Sequence, residues 1–122
     1  MHRGKTCFVM MNRYPYNNGH LMIVPYKHAG DLSMLDRPTQ AELIELTARS
    51  VKMLKKVLKC EGANCGMNIG HVAGAGIADH VHMHVVPRWR GDFNFLPVIG
   101  DTKSMPEYIE TTFKKLKPYF GG

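Results

Sequence analysis

Cysteine is scarce in this chain of 122 residues: there are three, Cys7, Cys60 and Cys65. An odd number with no Cys-x2-Cys pair argues against a disulfide framework or a cysteine zinc site and fits reduced thiols in a cytoplasmic setting. Long apolar runs are missing as well. Stretches such as Leu21-Met22-Ile23-Val24 are far too short to span a bilayer, and no basic segment followed by a long apolar one opens the chain. A soluble, unexported protein is therefore expected. Acidic residues are the minority, ten Asp and Glu against sixteen Lys and Arg, and the resulting formal charge of +6 favours anionic partners. The basic residues are spread over Lys52, Lys55, Lys56 and Lys59 and over Lys114, Lys115 and Lys117, as on solvated helix faces, and no base-stacking motif accompanies them. Nucleic acid is not the expected ligand, whereas polyphosphates fit. Repeats and low-complexity stretches are absent, and the length suits one domain burying roughly two-thirds of its unfolded surface, to which dimerisation would add.

What the chain does have is His80-Val81-His82-Met83-His84-Val85-Val86-Pro87. In an extended strand this spacing puts three imidazoles on one face and Val81, Met83 and Val85 on the other. A shared metal ion fails on distance, because His80 and His84 would stand roughly 13 Å apart along a strand while zinc–nitrogen bonds are about 2 Å. Two neighbouring histidines with His20 or His28 could still reach one ion, but no His-Glu-x-x-His helix supports that reading, and no metal is expected. Ordinary solvated strand histidines are the bland alternative. The third reading is a nucleophilic imidazole: a neutral ring held in one tautomer can attack phosphorus and form a covalent phosphoramidate. His82, flanked by two more imidazoles able to donate to phosphate oxygens and the leaving group, is the candidate.

The octet matches the His-φ-His-φ-His-φ-φ pattern of the histidine triad (HIT) superfamily, which the chain resembles along most of its length. Residues 12–25, Ala73-Gly74-Ala75-Gly76-Ile77 and the stretch from Pro87-Arg88-Trp89 to Phe95 are similar to a microbial branch that includes diadenosine tetraphosphate phosphorylases. The resemblance implies that His82 becomes nucleotidylated, that His84 contacts the phosphate and leaving group, that His80 orients the nucleophile, and that His20 buttresses the triad. It further implies that Asn12 binds ribose hydroxyls, Asn68 faces the substrate, the backbone of Ala75 and Gly76 approaches the phosphates, and Trp89 lies near the substrate. The implied fold is α+β and HIT-like, an antiparallel sheet with one long helix packed on it and a short C-terminal helix, in a single domain over residues 1–122. The implied assembly is a homodimer with joined sheets. The implied reaction cleaves a dinucleoside polyphosphate at its α-phosphate without a cofactor. Adenosine phosphoramidate is the alternative substrate, and a non-catalytic adenine-nucleotide-binding module the alternative class. Gly76 stands where many hydrolase members carry Gln or Ser, which leaves the final acceptor open between water and phosphate. The first strand starts almost at Met1, where many members carry an upstream segment, sometimes with zinc-binding cysteines; an absent N-terminal segment is one reading.

Local patterns place the elements. Residues 5–12 and 20–24 read as a pair of antiparallel strands around a turn rich in Pro, Asn and Gly. Thr39 with Glu42 reads as a capping box, and Leu43, Leu46, Ser50, Val51, Leu54, Val57 and Leu58 recur at helical spacing. A strand over residues 64–70 leads through a glycine-rich turn to the histidines. That turn is no P-loop, since no Gly-Lys-Ser/Thr follows, but placed before aligned histidines it can cradle phosphate. Beyond Trp89, residues 90–103 read as loop and 106–116 as a helix opened by Ser104. Met10, Met11 and Met22, with Phe93 and Phe95, read as core. His2, His28 and His71 read as surface or loop residues, and Arg88 as either a phosphate partner or a cap on the strand end.

Overall fold

The computed structural model describes residues 1–12, 18–73, 80–92 and 108–121. These form a five-stranded, wholly antiparallel sheet in the order β1-β2-β3-β5-β4, with β1 His2–Arg3, β2 Cys7–Met11, β3 Leu21–Pro25, β4 Gly62–Gly66 and β5 Met83–Arg88. One long helix, α1 Arg37–Leu58, and a short C-terminal helix, α2 Ile109–Leu116, complete the expected α+β architecture.

Strand alternation separates the two faces of the sheet. Cys7, Val9, Leu21, Ile23 and Val85 are buried, and they join Leu43, Leu46, Met53 and Leu54 of α1 in one apolar core. The residues between them, Met10, Met22 and His84, pair across the strands as Met10 with Met22 and Met22 with His84, and so share the opposite face. Met10 and Met22 therefore lie beside the histidines rather than in the helix-covered interior expected for them; only Met11 packs against the core.

Helix α1 begins earlier than its pattern suggested. Asp36, not Thr39, is the N-cap: its Oδ1 accepts from the Thr39 N–H at 2.9 Å. Pro38 fits the first turn, where its missing N–H costs nothing and its fixed φ is already helical. This start releases Glu42 from the expected capping box. Its carboxylate instead gathers the turn between β1 and β2, accepting from the backbone N–H groups of Lys5, Thr6 and Cys7 and from the Thr6 hydroxyl at 2.7–3.0 Å. Gly4 allows that approach, since a Cβ there would lie 2.6 Å from Glu42 Oε1.

Two further boundaries move. β4 occupies residues 62–66 rather than 64–70, in register with β5 from Gly62 opposite Arg88 to Gly66 opposite His84. β5 starts at Met83, so His80 and His82 precede the regular strand instead of lying on it. Pro25 explains this, because it has no N–H to extend the β3–β5 ladder, and the chain there bonds differently: the Val81 N–H donates to the Ala29 carbonyl at 2.7 Å. The expected segments over residues 93–103 and 104–107, with Phe93, Phe95 and Ser104, and the loop residues Ala75 and Gly76, lie outside the described residues.

Candidate active site

His20 follows a tight turn in which Gly19 has φ +84°, and a Cβ on Gly19 would lie 2.5 Å from Leu58 Cδ1. The glycine thus lets the chain pass over the end of α1 and enter β3 with the His20 ring fully buried. From there His20 Nε2 meets His84 Nδ1 at 2.9 Å, and on its other side His20 Nδ1 meets the Asn12 amide nitrogen at 3.2 Å. Asn12, His20 and His84 form one continuous line from the end of β2 past the start of β3 to β5.

His82 stands beside this line, its ring centre 4.7 Å from that of His84 and nearly perpendicular to it. Its Nδ1 lies 3.1 Å from the His80 carbonyl oxygen. A carbonyl can only accept, so this nitrogen carries the proton and the lone pair of the neutral ring sits on Nε2. His80 is itself tethered, with Nε2 2.9 Å from the Pro25 carbonyl. The first histidine thus positions the second through its backbone, and does so although neither lies on a regular strand.

Burial sets the charge of the ring line. Desolvation, assisted by the nearby His84 and His82, lowers the His20 pKa to about 4, and desolvation followed by His82 also lowers that of His84. The lowered values favour neutral rings near pH 7, in which one nitrogen of the His20–His84 contact donates and the other accepts.

Among the other expected site residues, Asn68 joins Gly66, Met67, Val86 and His84 around a cavity of about 180 Å³. Trp89 is anchored at the end of α1: its Nε1–H donates to the Leu58 carbonyl at 3.2 Å, and its ring packs against the core. Arg88 caps the strand end, bonding Asp92 at 2.6 Å and Asn64 at 2.7 Å. His28, read as a surface residue, is exposed but has its ring 4.4 Å from that of His80; with fifty-one residues between them, no local pattern joins the two. Among the described residues no cluster of three or more His, Cys, Asp or Glu side chains is arranged to hold a metal ion. No helix among them is long and apolar enough to cross a membrane.

Known proteins give this geometry its context. A hypothetical histidine triad nucleotide-binding protein from Sulfolobus tokodaii superposes with a TM-score of 0.79 at 26% identity, over 98% of this chain and 80% of that one. The chain is 43% identical over 114 residues to an AP-4-A phosphorylase of Mycobacterium tuberculosis, which covers 93% of the chain but only 58% of that relative. It is 32% identical over 103 residues to an uncharacterized HIT-like protein of Methanocaldococcus jannaschii, covering 84% of the chain and 76% of the relative. The HIT domain model matches residues 2–91, which include His20, His80, His82 and His84. The chain belongs to the HIT family.

Proposed function

We propose that this protein transfers a nucleotidyl group from a dinucleoside polyphosphate such as diadenosine tetraphosphate, through a nucleotidyl-His82 intermediate, to phosphate or water. The observation that carries the reading is the His82 Nδ1 bond to the His80 carbonyl, which fixes the nucleophilic lone pair on Nε2 next to His84. In the first step His82 Nε2 bonds to the α-phosphorus while the phosphorus–oxygen bond to the polyphosphate breaks. The leaving group departs as an anion, met by the His84 nitrogen turned away from His20. In the second step the acceptor oxygen bonds to phosphorus, the nitrogen–phosphorus bond breaks, and the acceptor's proton is lost to solvent. Phosphate as acceptor yields ADP and water yields AMP.

The substrate class is supported by the name of the Mycobacterium relative and by the net charge of +6. Asn68 in the cavity beside His84 suits contact with the substrate, and Asn12, Ala75 and Gly76 keep the roles the family resemblance implies. Assembly as a homodimer is supported by the β4 edge, which carries neither charge nor proline and exposes Asn64, Cys65 and Gly66; sedimentation at twice the monomer mass checks it. Three cysteines outside any disulfide fit a reducing cytoplasm.

The test is turnover. Wild type and His82→Ala are incubated with diadenosine tetraphosphate or adenosine phosphoramidate, with and without phosphate, and the products separated. The expected result is ADP and ATP from the tetraphosphate with phosphate, and a fall of about 10⁴-fold or more in the variant. No turnover of either substrate despite measurable nucleotide affinity would overturn the enzyme reading in favour of a binding module.

A further inference from the structure

The line from Asn12 to His84 contains a choice that geometry alone does not make for two imidazoles. In a bonded pair of neutral rings, either His20 Nε2–H donates to His84 Nδ1, or His84 Nδ1–H donates to His20 Nε2. The two arrangements have the same heavy-atom positions and opposite chemistry. In the first, His84 keeps its proton on Nε2 and offers a donor to a phosphate oxygen; in the second, Nε2 is bare and can only repel one.

We propose that Asn12 is the positioning residue that makes this choice, fixing through His20 which nitrogen of His84 carries the proton. The amide nitrogen of Asn12 can only donate, and it faces His20 Nδ1 at 3.2 Å. His20 Nδ1 must then accept, which leaves the His20 proton on Nε2. That proton occupies His84 Nδ1, and the His84 proton is left on Nε2. One side-chain amide just past the end of β2 thereby sets the proton of a ring two strands away, through a histidine with no exposed surface. Burial adds to the effect, because a ring that stays neutral near pH 7 has one proton to place and cannot satisfy both neighbours by taking a second.

The value of this arrangement for turnover rests on the role given to His84 above; the proton positions themselves do not. Nitrogen-15 NMR of histidine-labelled protein near pH 7.5 reads the protonated nitrogen of each ring directly. In the wild type, His20 and His84 are both expected as Nε2–H tautomers. In Asn12→Leu, which keeps the bulk and removes the donor, the Nδ1–H form is expected to appear in both rings together. The value of kcat then falls roughly twofold, as the productive pair drops from nearly all molecules to about half. A wild-type spectrum with the His20 proton on Nδ1, or tautomers unchanged in Asn12→Leu, would overturn the proposal, and the first of these needs no folded variant. A rise in KM with unchanged tautomers would likewise overturn it and leave Asn12 as a ribose contact only. Tautomers as expected in a protein that turns over neither nucleotide would leave the positioning role standing and remove the enzymatic reading instead.

Discussion

Glu42 and His20 are polar side chains packed against one small core, one reaching it from the helix-covered side of the sheet and one from the open side, yet they are kept in opposite charge states. Glu42 meets four donors, so the charged carboxylate is the form its site favours. Desolvation would push its pKa up, but the N–H groups of Thr6 and Lys5, the Thr6 hydroxyl and the Cys7 N–H outweigh it and hold the carboxyl at about 2. His20 meets an amide and another imidazole, and desolvation by burial makes the neutral form prevail. The first arrangement is a clamp with one state. The second is a pair of rings whose protons have two equivalent placements until a neighbour selects one, and that adjustability is what separates the functional face from the structural one.

The largest effect should come from breaking the difference between the faces at adjacent residues of β3. Ile23 is fully buried against α1, while Met22, one residue earlier, is half-buried beside His84. Ile23→Ala should cost about 2–5 kcal/mol by lost transfer energy and the cavity left behind, and Met22→Ala less than about 1.5 kcal/mol. Urea denaturation midpoints of the two variants check this. Equal losses would mean that the open face is as tightly packed as the covered one.

Proton linkage gives the next effect. The unfolded His20 ring titrates near 6.5 and the folded one at about 4, so between these values the unfolded chain binds a proton that the folded chain refuses. Stability therefore falls as pH drops from 6.5 towards 4, by about 2–3 kcal/mol from this ring. In His20→Gln that slope should shrink to the part contributed by His84. An unchanged slope across this window would show that the ring is protonated in the folded state.

Much of this was legible in the sequence because it depends on residues close together in the chain. The alternation in 80–87 marks Val81 and Val85 as core and His82 and His84 as site, and the apolar spacing of α1 marks Leu43, Leu46 and Leu54, all of them buried. What was not legible depends on partners far away. The late start of the triad strand follows from Pro25, whose missing N–H matters only once β3 lies beside β5. Glu42 matches a local capping motif, and only the folded chain brings the β1–β2 turn within its reach. Trp89 is placed by family resemblance near the substrate, whereas the carbonyl that receives its indole N–H is thirty-one residues away in sequence. Local patterns report which face a residue takes, and long-range hydrogen bonds decide what it does there.

The clamp itself provides the smallest and most selective test. Glu42→Gln keeps the shape of the side chain but replaces a charged acceptor with a neutral amide, half of which is a donor facing the N–H groups of Lys5, Thr6 and Cys7. With the group partly solvated, a loss of about 1–2 kcal/mol at pH 7 is expected. Here the folded pKa is lowered, so the contribution of Glu42 is complete above its unfolded value of 4.5 and disappears as pH falls towards about 2. That window lies below the one set by His20. Stability curves of Glu42→Gln should therefore run parallel to wild type from pH 7 down to about 4.5 and converge on it only below that. Convergence already between 6.5 and 4.5 would mean that the two clusters titrate together, and that the β1–β2 turn is coupled to the histidine face through the sheet.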